Sequence, residues 1–236
     1  MTIRELTIRY LIMIPGVFLL CFGIAFITKA GLGNSPISSV PYALSLIQPR
    51  FTMGNYTILI NLCLVAAQWI MLHDKPGSIM GRPAGKAITV SEIIVQFLIS
   101  LAMGYGIDFS LFLLQWMEPV VYWQKLLFLL AGVCIMSLGI AIQMEANVAM
   151  APGDAFSRAL TAVLHKPFNR VRVAADCSLV AIAVILCLVF LHRLVAVREG
   201  TVICALLTGN LVKFYRWVFA RCRAALFSLP LKKNTR

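Results

Sequence analysis

Long stretches without a charged side chain constrain the fold of this protein more than any other feature of its sequence. Three such stretches are Tyr10–Thr28, Phe51–Leu72 and Leu126–Met144. A helix that crosses the hydrocarbon core of a membrane needs roughly 20 apolar residues. Inside lipid the backbone must satisfy its own hydrogen bonds, and a continuous apolar stretch does so as an α-helix. The three stretches therefore predict three membrane-spanning helices.

Three further apolar stretches carry or meet a charged residue. Residues 93–117 contain Asp108, Val173–Leu191 contains Asp176, and Gly200–Val212 ends at Lys213. The composition agrees with additional spans, because only 13% of the residues are charged, against about a quarter in a soluble domain. None of the stretches alternates between apolar and polar residues as a membrane β-strand would. We therefore predict an all-α, polytopic membrane protein with about six transmembrane helices.

The positions of the basic residues predict the orientation. If the N-terminus lies in the cytoplasm, the segments that face outward contain five of the 21 Lys and Arg residues: Lys29, Arg50, Lys125, Arg193 and Arg198. Basic residues gather on the cytoplasmic side of membrane proteins, so both termini are predicted to be cytoplasmic. The basic tail, residues 221–236, then faces the bilayer, and anionic lipid headgroups are a better partner for it than nucleic acid.

The chain contains an internal repeat. At an offset of 116 residues, Gly16-Val17 recurs as Gly132-Val133, Gly23–Ala25 recurs as Gly139–Ala141, and Pro36 recurs as Pro152. These matches predict one membrane domain, residues 1–236, built from a first repeat (9–117) and a second repeat (119–220). Because each repeat has three spans, the two would be inverted relative to each other, an arrangement that recurs in secondary transporters.

A loop of small residues follows the first span of each repeat. Each loop ends in a proline and is followed by an apolar stretch too short to cross the membrane, Ile37–Ile47 in one repeat and Ala155–Leu164 in the other. Each stretch is either a half-helix that re-enters the membrane or a helix that lies at its surface, and the sequence leaves both readings open. Re-entrant half-helices would aim their positive N-terminal ends at a central site.

The candidate substrate-binding residues belong to these two loops and to the polar positions inside the spans. Ionisable residues inside a membrane are functional candidates by default, and Asn61 and Asp176 occupy matching spans. The alternative for each is a structural role, such as a helix cap for Asp154. The full set is Lys29, Gly31, Gly33, Asn34, Pro36, Asn61, Asp108, Glu145, Asn147, Pro152, Asp154 and Asp176.

No sequence pattern points to catalysis. The seven cysteines show no metal-ligand spacing, and the sequence has no phosphate-binding loop and no dinucleotide fingerprint. We expect neither an enzyme nor a bound metal or cofactor.

Three segments resemble a known family. Gly23–Ala25, Gly31–Pro36 and Gly200–Gly209 are similar to segments of the YczE/YyaS/YitT family of bacterial membrane proteins, and the resemblance extends over roughly residues 9–219. It implies a location in the bacterial inner membrane. It supplies little mechanism, because that family is largely uncharacterised. The sequence departs from the family at Lys213, where relatives often carry an acidic residue, whereas Asp108 keeps that feature in the first repeat.

Two functions are compatible with these patterns. The first is a small secondary transporter or permease that binds a small molecule or ion of unknown identity between its repeats. The alternative is a membrane scaffold or regulator that transports nothing and docks a cytoplasmic partner through its basic loop and tail. The sequence also leaves open whether the protein forms a homodimer.

Overall fold

In a computed structural model, the fold is described for residues 3–73, 90–146 and 151–227. These residues form eight α-helices and no strand. The helices are α1 (Ile3–Ala30), α2 (Pro36–Ile47), α3 (Met53–His73), α4 (Val90–Leu113), α5 (Tyr122–Ala146), α6 (Pro152–Leu164), α7 (Phe168–Leu186) and α8 (Glu199–Phe227). A short π-helical segment, Cys187–Leu191, extends α7.

Six of the described helices are long and apolar enough to cross a membrane, which confirms the predicted fold class. Helix α4 continues through Asp108 to Leu113, and α8 continues through Lys213 to Phe227. A charged residue therefore interrupts the apolar pattern of these two spans without ending the helix. The protein is a multi-pass membrane protein with two additional short helices, α2 and α6.

Helices α1 and α5 form the central contact of the bundle, and glycines bring their backbones together. A Cβ atom added to Gly132 would stand 2.9 Å from the carbonyl oxygen of Gly23, and one added to Gly139 would stand 2.7 Å from that of Gly16. Small residues allow such close helix packing in lipid, where burial of apolar surface provides no driving force. Because Gly16 lies beside Gly139 and Gly23 beside Gly132, the two helices run antiparallel.

Helices α2 and α6 lie inside the bundle, and each packs against both α3 and α7. Their N-terminal ends meet. The side chain of Ile37, in the first turn of α2, lies directly over Gly153, in the first turn of α6, where it occupies the space that a Cβ atom would need. From this meeting point α2 and α6 run toward opposite ends of the bundle. We call these ends the Ala30 end and the Ala146 end, after the last residue of α1 and the last residue of α5.

Helices at matching positions in the two halves of the chain make matching contacts. Helix α4 packs on α1 as α8 packs on α5, α2 packs on α7 as α6 packs on α3, and α2 packs on α3 as α6 packs on α7. One contact has no counterpart among the described residues: α3 packs along α4, whereas α7 and α8 do not pack along each other. As a result α8 is the most exposed of the long helices.

The central contact makes a prediction about glycine substitutions. Gly23→Ala and Gly139→Ala should each destabilise the folded protein by about 1–3 kcal/mol, because the added methyl groups meet rigid backbone atoms. Gly209→Ala in α8 is the matched control, since nothing lies within 4 Å of a Cβ atom there. Thermal unfolding of the purified variants in detergent measures the difference. Equal stability of all three variants would contradict the proposed packing of α1 on α5.

Candidate functional site

A cavity of about 210 Å³ lies where the first turns of α2 and α6 meet. It sits midway along α3 and α7, because Leu64 is near the middle of Met53–His73 and Leu179 is near the middle of Phe168–Leu191. Its wall is largely apolar, and it is partly open beside Ser178 and Ile182. The lining residues are Ile37, Leu64, Gly153, Phe156, Ser157, Ala175, Asp176, Ser178, Leu179 and Ile182.

Two helix N-termini face this region without side-chain caps. Pro36 and Pro152 start α2 and α6, and the preceding residues, Ser35 and Ala151, make no capping hydrogen bond. Proline has no N–H group, so the amides that follow are the first donors of each helix. Gly153 has no side chain and therefore lines the cavity with backbone atoms. Positive partial charge from both helix ends is directed at one place.

The carboxylate of Asp176 provides the negative charge of the cavity. It is half-buried in the middle of a span, and it makes no hydrogen bond or salt bridge with any residue that the structure describes. The nearby basic residue Arg172, one turn earlier in α7, is instead paired with Asp154 of α6 at 2.7 Å. Among the polar groups of the cavity, the unpaired carboxylate of Asp176 therefore carries the largest desolvation cost.

Two serine hydroxyls on the cavity wall are already used as donors. Ser157 donates to the carbonyl oxygen of Gly153 at 3.0 Å, and Ser178 donates to that of Ala175 at 2.7 Å. Each hydroxyl has one hydrogen, so both serines present only acceptor lone pairs to the cavity.

Asn61 lies one helical turn from Leu64 on α3 and is 4% exposed. Its Nδ2 atom is buried and finds no hydrogen-bond partner within the described part of the chain. The sequence placed Asn61 and Asp176 in matching spans of the two repeats. The structure brings both to the middle of the bundle, on the two helices that flank α2 and α6.

The first loop closes the Ala30 end. Gly31 and Gly33 have φ angles of 66° and 102°, which favour glycine. Asn34 is fully buried; its backbone N–H donates to Ala196 at 3.0 Å, and its Nδ2 donates to Thr28 at 2.9 Å. Gly31, Gly33 and Asn34 therefore hold the loop against the α7–α8 connection and do not line the cavity.

Asp108 has a structural role that the sequence did not reveal. Its carboxylate accepts from the Thr52 hydroxyl at 2.5 Å and from the Gly54 backbone N–H at 2.8 Å. These contacts satisfy the first turn of α3 from the neighbouring helix α4. Gly54 makes them possible, because a Cβ atom at that position would stand 2.5 Å from the same carboxylate.

The remaining predicted site residues lie away from the cavity or outside the described region. Lys29 donates to the carbonyl oxygen of Gln115 at 3.4 Å at the Ala30 end. Glu145 is half-buried near the end of α5, and Asn147 lies outside the described residues. Of the predicted set, the structure therefore gathers Pro36, Asn61, Pro152, Asp154 and Asp176 around the centre of the bundle.

Sequence reasoning missed most of the cavity wall. Ile37, Leu64, Phe156 and Leu179 are apolar residues in apolar segments, so no local signal separates them from residues that face lipid. Arg172 was also missed as the partner of Asp154, although its charge near the start of a span was a signal that could have been used.

Two other features of the structure do not compete with this site. A wider groove of about 360 Å³ between Met117 and Phe128 is open to the surface, and its charged residue, Glu118, is exposed. Among the described residues, no three His, Cys, Asp or Glu side chains are grouped closely enough to hold a metal ion.

The fold defines a multi-pass helical membrane protein with a largely apolar cavity, which contains the carboxylate of Asp176, in the middle of the bundle. The profile of a family of unknown function, DUF6198, matches residues 7–217, and the chain belongs to this family. It is similar to the uncharacterized protein YyaS of Bacillus subtilis (strain 168), with 24% identity over 217 residues, which cover 90% of this chain and 94% of YyaS. No solved structure matches the chain.

The position of Asp108 predicts the effect of its removal. Asp108→Ala should cost about 0.5–2 kcal/mol of stability, the usual effect of losing a group that satisfies a helix N-terminus. Thermal unfolding in detergent measures the loss, and Glu118→Ala, an exposed acidic residue near the same end, is the control. Full stability of Asp108→Ala would show that this carboxylate does not anchor α3.

Proposed function

We propose that the protein is a small permease whose substrate crosses the membrane through the cavity between α3 and α7. The observation that carries this proposal is the meeting of two uncapped helix N-termini, at Ile37 and Gly153, halfway along two membrane spans. Broken helices with ends at mid-membrane are how secondary transporters build substrate sites. A helix that had only to anchor the protein would gain nothing from ending in the middle of the bundle.

An inverted repeat supports the same proposal. The antiparallel contact between α1 and α5 pairs Gly16 with Gly139 and Gly23 with Gly132, and Gly132 and Gly139 are the repeat partners of Gly16 and Gly23. Gly16 thus meets the repeat partner of Gly23, and Gly23 meets the repeat partner of Gly16. Such reciprocal contacts are expected of two units related by a two-fold axis. With the matching contacts of the other helices, it favours two repeats that can move against each other.

The cavity is closed in different ways toward the two ends of the bundle. Toward the Ala30 end, an apolar cluster separates it from the surface; the cluster consists of Val40, Ala43, Ala183, Cys187 and Ala196, all at most 4% exposed. Toward the Ala146 end, the ion pair between Asp154 and Arg172 lies beside the cavity, and its side chains are 26% and 37% exposed. A half-exposed ion pair is worth at most about 1 kcal/mol, so this contact is the easier one to open.

We further propose that the protein lies in the bacterial cell membrane with the Ala146 end in the cytoplasm. The supporting observation is the concentration of basic residues toward that side. Arg216 and Arg221 near the end of α8 are exposed, and Arg221 lies 4.4 Å from the Trp217 ring centroid. Aromatic and basic residues in this combination are typical of a helix end at the lipid headgroups.

A cysteine accessibility experiment tests the permease proposal without knowledge of the substrate. The four exposed cysteines, Cys63, Cys134, Cys177 and Cys222, are replaced by serine, and Ser157→Cys is introduced into the cavity wall. A permease that alternates between two open states should allow a water-soluble thiol reagent to reach this cysteine from either side of sealed vesicles. Labelling is read by mass spectrometry.

Ser137→Cys in α5 is the matched control, since Ser137 is equally small, fully buried and distant from the cavity wall. It should stay unlabelled from both sides. A scaffold that transports nothing has no reason to open the cavity to water on both sides. Labelling of Ser157→Cys from one side alone, or from neither, would therefore overturn the permease proposal.

A further inference from the structure

We propose that the cavity binds a small organic molecule with a protonated amino group, and that Asp176 is the counter-ion of that group. This inference rests on the proposed function, since it names the substrate class of the same site. It is carried by one charged side chain for which the described residues provide no hydrogen bond or salt bridge, and by the chemistry of the wall around it.

Among the described residues, Asp176 is the only charged side chain that lines the cavity. Arg172 is paired with Asp154. Arg158, on the next turn of α6 after Asp154, has its guanidinium 6.0 Å from the Phe168 ring centroid, at the start of α7 and thus toward the Ala146 end. A carboxylate inside a membrane is costly unless it is paired, so a bound cation would remove the cost.

The hydrogen-bonding groups of the side chains on the wall fit a donor and not an acceptor. The carboxylate of Asp176 accepts, and the hydroxyls of Ser157 and Ser178 have already given their hydrogens to helix carbonyl groups. An ammonium group has three donors and no acceptor, and it can therefore use all three side chains. A carboxylate or phosphate ligand could use the backbone N–H groups at the starts of α2 and α6, but it would meet the like charge of Asp176 and two acceptor hydroxyls on the wall.

The size and apolarity of the cavity favour an organic cation over a metal ion. Calcium needs six to eight oxygen ligands, and the wall offers three oxygen-bearing side chains among apolar ones. The cavity volume of about 210 Å³ is well above what a single water molecule needs, so it has room for a ligand of several non-hydrogen atoms. The apolar side chains of Ile37, Leu64 and Phe156 can cover an alkyl chain while the amino group reaches Asp176.

The opening of the cavity fits the same ligand. Beside Ser178 and Ile182 the wall is exposed on a helix that crosses the membrane. An amphipathic amine can lie in the bilayer with its charged group at the headgroups and its chain in the hydrocarbon. Such a molecule can enter the cavity from lipid as well as from water.

Asp176→Asn is a conservative test of this site. It keeps the size of the side chain and removes the charge, and α3 already carries an amide, Asn61, in the matching span of the first repeat. The probe is n-butylammonium, compared with 1-butanol and butanoate, which have the same chain without the positive charge. Thermal unfolding of the purified protein is followed in detergent as each compound is titrated, and the half-saturating concentration is measured.

We expect n-butylammonium, and neither 1-butanol nor butanoate, to raise the unfolding temperature saturably, because a ligand that binds only the folded state stabilises it. Asp176→Asn should weaken binding by about ten- to a hundred-fold, the usual cost of losing a hydrogen bond to a charged group. Glu118→Gln, in which the lost carboxylate is exposed and lies outside the cavity wall, should bind as the unchanged protein does. Equal binding by Asp176→Asn, or no binding by the unchanged protein, would overturn the inference.

A second measurement uses the unchanged protein, in case Asp176→Asn does not fold. A hydrophobic carbodiimide modifies carboxyl groups in apolar surroundings, and mass spectrometry locates the modified residue. n-Butylammonium should slow the modification of Asp176, and 1-butanol should not. Modification of Asp176 at the same rate with and without the amine would overturn the inference. If Ser157→Cys is labelled from both sides while no amine binds, the ligand class is wrong and the permease proposal stands.

Discussion

Four glycines set the distance between α1 and α5, and the positions of the other helices follow from that contact. In water an apolar stripe would drive two helices together, but in lipid the solvent is as apolar as the side chains. Close backbone contact is then the main source of attraction between α1 and α5. Gly16 and Gly23 provide it on one helix, and Gly132 and Gly139 provide it on the other.

The antiparallel register of this pair explains where the short helices begin. At one end of the contact the Arg9 side chain reaches the carbonyl oxygen of Ala146, the last residue of α5. Ala30, the last residue of α1, therefore lies at the opposite end. Helices α2 and α6 nevertheless begin side by side, at Ile37 and Gly153, so the chain returns from both ends toward the middle. Helices α3 and α7 flank the meeting point, and the cavity is the space that the four helices leave between them.

The sequence predicted the parts of this architecture that depend on local pattern. Charge-free stretches predicted the spans, and Pro36 and Pro152 marked the starts of the short helices because proline fits the first turn of a helix. Helix α6 begins three residues before the predicted stretch at Ala155, since Gly153 and Asp154 join the first turn after the proline. Helix α8 extends beyond the predicted stretch Gly200–Val212 to Phe227, because the single charged residue Lys213 does not end the helix. Helix α4 runs through Asp108, whose carboxylate reaches the neighbouring helix α3.

The parts that the sequence did not predict depend on contacts between distant residues. Asp108 was a candidate for substrate binding, and its two hydrogen bonds to Thr52 and Gly54 became visible only when α3 and α4 were placed together. The apolar cavity wall has no local signature that separates it from a lipid-facing surface. Asp176 was found from the sequence because a charge in the middle of a span is rare, but its lack of a partner depended on Arg172 being held by Asp154.

The most direct test of this account is a disulfide bond between Ile37→Cys and Gly153→Cys, formed in native membranes on a background without the exposed cysteines. Disulfide formation requires the two Cβ atoms to approach within about 4.5 Å. If α2 and α6 begin side by side in the middle of the bundle, mild oxidation should join these residues within one chain, as detected by mass spectrometry. Ile47→Cys with Leu164→Cys, at the far ends of the same helices, should not be joined. Failure of the first pair to form a bond, with both cysteines present and reduced, would contradict the meeting of the two helices on which the site depends.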